Sequence, residues 1–215
     1  MRTPRVPGLH FLVGTMLLLA SAQSVAQPRV WDFQVFLDDA SIGYHRFTLG
    51  DEPSGRDMKI EARFEVKVLF VTVYRYVHEA SELWRGSCLT RLEARTNDDG
   101  TRLVTEAALD GKRLTVSTAS GSATLAGCVM SFAYWNSEIL RQSQLLNVQT
   151  GEYQAVKIAV IGDENIAVRG AQVAATRYRI TGPKNPIDLW YSNESDWLAL
   201  ESTVAGGKRL RYQIK

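Results

Sequence analysis

The sequence predicts an all-β protein: a strongly curved antiparallel sheet or open barrel of about a dozen strands, carrying one short helical plug segment. Three observations lead there. From Arg29 onward, apolar and polar residues alternate with a period of two almost throughout. Turn signals recur at short intervals, so consecutive strands connect as hairpins. Only the stretch from Ser131 to Asn147 reads as helix.

The first 26 residues have a different character. Met1 to Pro7 carries two arginines and no acid, Leu9 to Ala20 is apolar, and Ser24 and Ala26 stand where a signal peptidase needs small residues. The expectation is a cleavable leader over residues 1–26 and one β-rich domain over 27–215, beginning at Gln27. The apolar run is shorter than the roughly 20 residues that span a bilayer. No later stretch has that length, so the expected mature chain has no transmembrane span and is periplasmic. Of the 25 Lys and Arg, two lie in the leader, and the remainder balance the 23 Asp and Glu. That neutrality leaves no electrostatic footprint for nucleic acid or for an anionic membrane surface.

In the domain itself, Trp31, Phe33, Val35 and Leu37 form the apolar face of a first strand. Met58 to Val68 alternates with charged residues as the cleanest half-buried strand. Residues 68–77 are apolar at both parities. One strand from 57 to 84 would run about 90 Å at roughly 3.3 Å per residue, so a corner or tight turn is expected near Phe70–Thr72. Asn97 to Gly100 turns Cys88–Thr96 back, and Asp110-Gly111 joins Thr101–Leu109 to Lys112–Thr118 as a two-residue hairpin. Later strands read as Tyr153–Ile161, Ile166–Arg169, Val173–Thr181, Ile187–Tyr191, Trp197–Val204 and Arg209–Ile214. The turn between the first two of these is expected at Gly162-Asp-Glu-Asn165. In the plug, Asn136 is placed to cap a short helix, with Glu138 in its first turn.

Cys88 and Cys128 are the only cysteines. In an exported chain they are expected as a disulfide closing a loop of about 40 residues, which the chain-entropy model values at roughly 4 kcal/mol. Two buried thiols or a metal pair are the competing readings, and no second Cys or His stands at ligand spacing to favour metal. The histidines after the leader are His45 and His78. His78 and Glu79, as neighbours on a strand, face opposite ways, and each histidine reads as a surface or hydrogen-bonded core residue. No nucleophile elbow, HExxH or informative carboxylate pair is present, so no catalytic residue, metal or cofactor is expected. Five tryptophans and eight tyrosines either fill the core of a curved sheet or line a cavity. The cavity candidates are Phe132, Tyr134, Trp135, Ile139, Leu146 and Trp190.

Phe132-Ala-Tyr-Trp-Asn136, Leu145-Leu-Asn147 and Gln149-Thr-Gly-Glu152 resemble a family of uncharacterised secreted bacterial β-rich proteins, catalogued as a domain of unknown function. Glu61 to Phe70, Tyr74-Arg-Tyr76 and Glu82-Leu-Trp84 look like the N-terminal half of the same family. The architecture is more distantly similar to periplasmic half-barrels of the lipoprotein-carrier type, which implies a lipid-sized cavity under a helical plug. The resulting expectation is a non-enzymatic periplasmic protein binding a hydrophobic small molecule such as a lipid or acyl chain. The alternative is a packed structural or interaction module of the cell envelope, with a protein partner and no small-molecule ligand.

Overall fold

A computed structural model describes residues 27–215; the leader expected over 1–26 lies outside the described residues. The strands are β1 Arg29–Leu37, β2 Ala40–Glu52, β3 Gly55–Val68, β4 Val71–Arg85, β5 Cys88–Asp98, β6 Thr101–Asp110, β7 Arg113–Thr118 and β8 Gly121–Ala126. After a long connection come the short pair β9 Gln144–Leu146 and β10 Tyr153–Ala155. They are followed by β11 Lys157–Val168, β12 Ala171–Thr181, β13 Ile187–Ser192, β14 Trp197–Thr203 and β15 Arg209–Ile214.

Thirteen of these form one antiparallel sheet in the order β11-β12-β13-β14-β15-β1-β2-β3-β4-β5-β6-β7-β8. Two meanders therefore grow outward from the β1·β15 seam, where Val35 pairs with Tyr212. The sheet is not closed: β8 and β11 are its edges. Residues 127–156 connect those edges and run through the concave side as the plug. Within it, Val129, Met130, Ile139, Leu145 and Leu146 are buried in the same core as the inner faces of the strands.

Alternation decides which side chains face inward. Trp31, Phe33 and Val35 are buried on β1, Met58, Ile60 and Ala62 on β3, and His78, Ala80, Glu82 and Trp84 on β4. Strand register aligns them in rungs across the sheet. One rung runs Trp31–Phe47–Ile60–Ala80–Ala94, and the next Phe33–His45–Ala62–His78–Thr96. Bulges at Val35/Phe36, Val66/Lys67 and Leu83/Trp84 bend the strands, as bulges do in sheets that curl.

The structure departs from the sequence reading at three places. The turn expected near Phe70–Thr72 lies at Leu69–Phe70, where Val68 pairs with Val71 and Leu69 takes φ 57°. Gly162 to Asn165 is not a turn. It continues β11, with Asn165 paired to Ala174, and the chain reverses at Arg169–Gly170. On this edge strand Ile161 forms a bulge between Val160 and Gly162, and the acidic, solvated residues after it continue the edge; both discourage edge pairing. The plug helix is one turn of 3-10 type, Ser137–Arg141. Asn136 Oδ1 caps it by accepting from the Glu138 N–H at 3.2 Å. Leu145 and Leu146 belong to β9, whose register with β10 leaves both buried.

The plug is anchored at each end. Cys88 at the start of β5 is bonded to Cys128, with Cα atoms 4.9 Å apart, and the Leu89 N–H donates to the Val129 carbonyl at 2.8 Å. Downstream, the Tyr191 hydroxyl donates to the Tyr134 carbonyl at 2.6 Å, and the Val156 N–H to the Ser143 carbonyl at 2.9 Å.

Candidate functional site

The plug does not fill the concave side. Between it and the inner faces of β2–β4, β14 and β15 lies a cavity of about 410 Å³. Phe132, Tyr134 and Trp135 form its plug wall, and Phe47, Ile60, Tyr76, Leu200 and Tyr212 its sheet wall. The turns at Pro183–Asn185 and Val204–Leu210, with Asn147–Gln149 of the plug, border the mouth. Phe64 stacks on Tyr76 at 5.2 Å between centroids and extends the aromatic wall toward that rim. A second depression, about 740 Å³, crosses the outer face of β4–β7. Its lining includes Arg85, Arg91, Glu93 and Glu106, and it brings together no aromatic wall.

Besides Lys184 and the tyrosines, two histidines and one carboxylate line the cavity: His45, His78 and Glu82. His45 stacks on Phe47 at 4.2 Å, and its Nδ1 lies 3.1 Å from the Tyr212 hydroxyl. Its Nε2 is buried and has no hydrogen-bond partner. Burial, reinforced by nearby His78, holds the His45 imidazole well below the ordinary histidine range, so it is neutral at physiological pH. His78 Nδ1 lies 2.8 Å from the Thr96 hydroxyl, and burial lowers its pKa to about 4. Glu82 is the most enclosed of the three. The Trp84 indole N–H donates to its Oε2 at 2.9 Å and the Ser131 hydroxyl to its Oε1 at 3.1 Å. Burial outweighs those bonds and raises the carboxyl to about 7. Around them, burial pushes the Tyr76, Tyr134 and Tyr212 phenols above their ordinary values.

Apart from Lys184 and Glu82, which is part-ionised near pH 7, the lining brings no charge to the chamber; its walls are aromatic, and two of its residues carry a polar atom without a partner. The Trp135 indole Nε1 is also buried without an acceptor. Such a surface is suited to enclosing an apolar body while holding one or two ligand oxygens. Around it, among the described residues, no three His, Cys, Asp or Glu side chains gather as a metal site would need.

The sequence candidates divide between three environments. Phe132, Tyr134 and Trp135 line the cavity. Ile139 and Leu146 expose no surface and pack in the core of the plug. Trp190 sits on the opposite face of β13 from Leu189 and Tyr191, outside the cavity. Its indole N–H donates to Glu164 Oε1 at 2.8 Å, and the Arg177 guanidinium lies over its ring at 5.0 Å. Asp188 on the same outer face is held between Arg177 and Arg179. Burial opposes its charge, but the hydrogen bonds from Arg179 and Arg177 prevail and keep its pKa below the usual range.

Sequence reasoning missed His45, His78 and Glu82 as cavity residues. The signal was present in strand phase. Ala80 and Trp84 mark the inner face of β4, and His78 and Glu82 share their parity. A hydrogen-bonded core histidine is within the sequence reading, but nothing in the spacing joins His45, His78 and Glu82 at one cavity.

The family model for DUF6134, a domain of unknown function, matches residues 33–215, and the chain belongs to that family. Among solved structures, it is similar to a β-barrel-like protein of the domain of unknown function DUF1849 from Brucella abortus. The sequences are 11% identical, the TM-score is 0.64, and the match covers 88% of this chain and 96% of that one. At that identity the likeness shows the fold alone. No curated protein matches the sequence.

Proposed function

We propose that this DUF6134 chain is a periplasmic, non-enzymatic binding protein that takes up a hydrophobic ligand, such as a lipid or acyl chain, under its plug. The observation that carries the reading is the cavity of about 410 Å³ between plug and sheet. Its size falls in the range of roughly 300–1,000 Å³ typical of ligand sites, and its walls are aromatic with a few convergent polar groups. Burying a polar atom with no partner costs stability. His45 Nε2 and the Trp135 N–H are two such atoms, each just behind the surface of a residue that lines the chamber. With the Tyr212 hydroxyl donating to Nδ1 and the His45 proton on Nε2, a ligand carbonyl, ester or carboxyl oxygen that displaces the wall slightly would accept from either, which favours an amphipathic ligand over a bare hydrocarbon. The leader pattern of residues 1–26 and the Cys88–Cys128 pair support export to an oxidising compartment.

Native mass spectrometry of the protein purified from its own periplasm tests both parts. The expected spectrum shows a chain beginning at Gln27 with one lipid-sized adduct, displaced one-for-one by a fluorescent fatty acid. A bare protein that takes up no such probe would assign the interior to packing alone, and Met1 retained on the exported form would remove the periplasmic assignment.

A further inference from the structure

We propose that the tip of the β3–β4 hairpin inserts into a lipid surface and presents the cavity mouth to it, an inference that rests on the binding role proposed above. The last rung on which this hairpin is flanked by both neighbours is Gly43–Phe64–Tyr76–Asp98. Beyond it, β3 and β4 pair with each other from Glu65↔Arg75 to Val68↔Val71, and the last backbone bond to a neighbour is from the Asp99 N–H to the Arg75 carbonyl at 2.8 Å. At 3.3 Å per residue this free part projects roughly 15 Å. Its apex is apolar on every side: Phe70 is 97% exposed, Leu69 89%, Val71 66% and Val68 56%. Nothing else in the described structure exposes so many large apolar side chains together, and such patches mark interaction sites.

Two features favour a bilayer as the occupant. The apolar residues occupy both strand parities around a two-residue turn, so a flat partner surface would cover one side of the apex and leave the other wet, whereas acyl chains surround it. The apex residues Val68 and Val71 pair with each other, which limits the unmade backbone bonds that would enter the membrane. Lys67 and Arg75 stand just below the apex and share the carboxylate Glu65, while Asp98 and Asp99 lie beside Tyr74 and Arg75, so the collar is mixed in charge and the apolar apex itself carries the insertion. The hairpin also connects the apex to the proposed site. Tyr76 lines the cavity, Phe64 stacks on it, and Val66 continues the same inner face toward Val68. An apolar ligand leaving the mouth meets apolar surface up to the apex.

The test is flotation of the purified protein with vesicles of phosphatidylethanolamine and phosphatidylglycerol, comparing wild type with Leu69→Asn/Phe70→Ser. Asparagine tolerates the positive φ at position 69, and both side chains are exposed, so the melting temperature is expected to be unchanged. The wild type should float, and the double variant should partition more weakly by on the order of a hundredfold. In a separate Phe70→Trp variant, the added fluorescence should shift to the blue and be quenched by lipids brominated on their acyl chains. Failure of the wild type to float, or equal flotation of the double variant, overturns the proposal. A wild-type dimer that the double variant loses, without vesicle binding, assigns the tip to a second copy of the chain. Flotation without uptake of a fatty-acid probe upholds the tip and removes the cavity reading; uptake without flotation does the reverse.

Discussion

Replacing Glu82 with glutamine should stabilise the protein at alkaline pH and change little near pH 4. Burial raises the carboxyl from 4.5 to about 7 in the folded state. Between those values the folded protein keeps a proton that the unfolded chain has released, so stability falls as pH rises from about 4.5 and levels off above 7. At about 1.4 kcal/mol per unit, the gap corresponds to about 3 kcal/mol. For a domain of this length that is a melting shift of about 6–12 °C. Glutamine does not titrate, and its amide can reproduce the local bonds: its oxygen accepts from the Trp84 N–H while its NH₂ donates to the Ser131 hydroxyl. Thermal and urea melts of both proteins from about pH 5 to pH 9 give the difference directly. His78, held at about 4 against an ordinary 6.5, makes stability fall as pH drops from 6.5 toward 4, because only the unfolded imidazole takes up the proton. That contribution is common to both proteins and cancels. A difference between wild type and Glu82→Gln that stays constant from pH 5 to 9 would refute the assignment of Glu82 as a buried, neutral carboxyl.

Replacing Cys88 and Cys128 together with serine should cost up to roughly 4 kcal/mol by the loop it reopens, and limited proteolysis should then cut first near the start of the plug. Unreduced, denatured wild type should offer no alkylatable thiol. Gly43→Ala should be severely destabilising, about 3 kcal/mol or more in urea melts. A Cβ there would lie 1.9 Å from the Arg63 carbonyl oxygen, on a residue at φ +148°; a near-normal midpoint would show that the close approach of β2 and β3 is wrong. Trp190→Phe should lose about 1 kcal/mol with its bond to Glu164 and leave fatty-acid probe affinity unchanged by titration, whereas Phe132→Ser should weaken the probe at a smaller stability cost than truncating fully packed Trp135.

Period-two alternation was enough to read most strands because an antiparallel sheet with one buried face writes its geometry into the sequence. Met58 to Val68 is legible for that reason. Residues 68–73 broke the pattern because they are not buried on either face: the run apolar at both parities marks a projecting tip, not a covered corner. Gly162 to Asn165 misled because glycine, aspartate and asparagine suit a bulged edge strand as well as a turn, and which applies depends on whether a neighbour pairs beyond it. Trp190 misled for a different reason. A tryptophan on a strand reads as interior, yet here Arg177 and Glu164 cover it from the outside. Glu82 was illegible as an interior residue by polarity alone, since its burial depends on Trp84 and on Ser131, which lies 49 residues away.

The rungs of the sheet explain why the plug leaves one end hollow. At the end away from the mouth, Trp31, Trp84 and Trp135 meet: Trp135 lies 5.5 Å from Trp84, edge to face, and 6.4 Å from Trp31. Fully buried Met58 and Leu92 lie on the inner faces of β3 and β5. That end is a packed core, tied to the plug by Cys88–Cys128. Toward the mouth the rungs change character, to His45, His78 and Tyr76, with Gly43 and Ala62 as the small residues between them. Large rings at one end and polar rings with small neighbours at the other give the plug firm seating on the first and space on the second. Trp135 belongs to both, being 5% exposed while still lining the chamber. Phe64 is only partly buried. Truncating Trp135 therefore removes core as well as wall, and its loss should destabilise more than loss of Phe64, by the 2–5 kcal/mol scale of large core deletions. Ligand recognition is better separated from folding at Phe132 and His45, on the open half, where the walls face space.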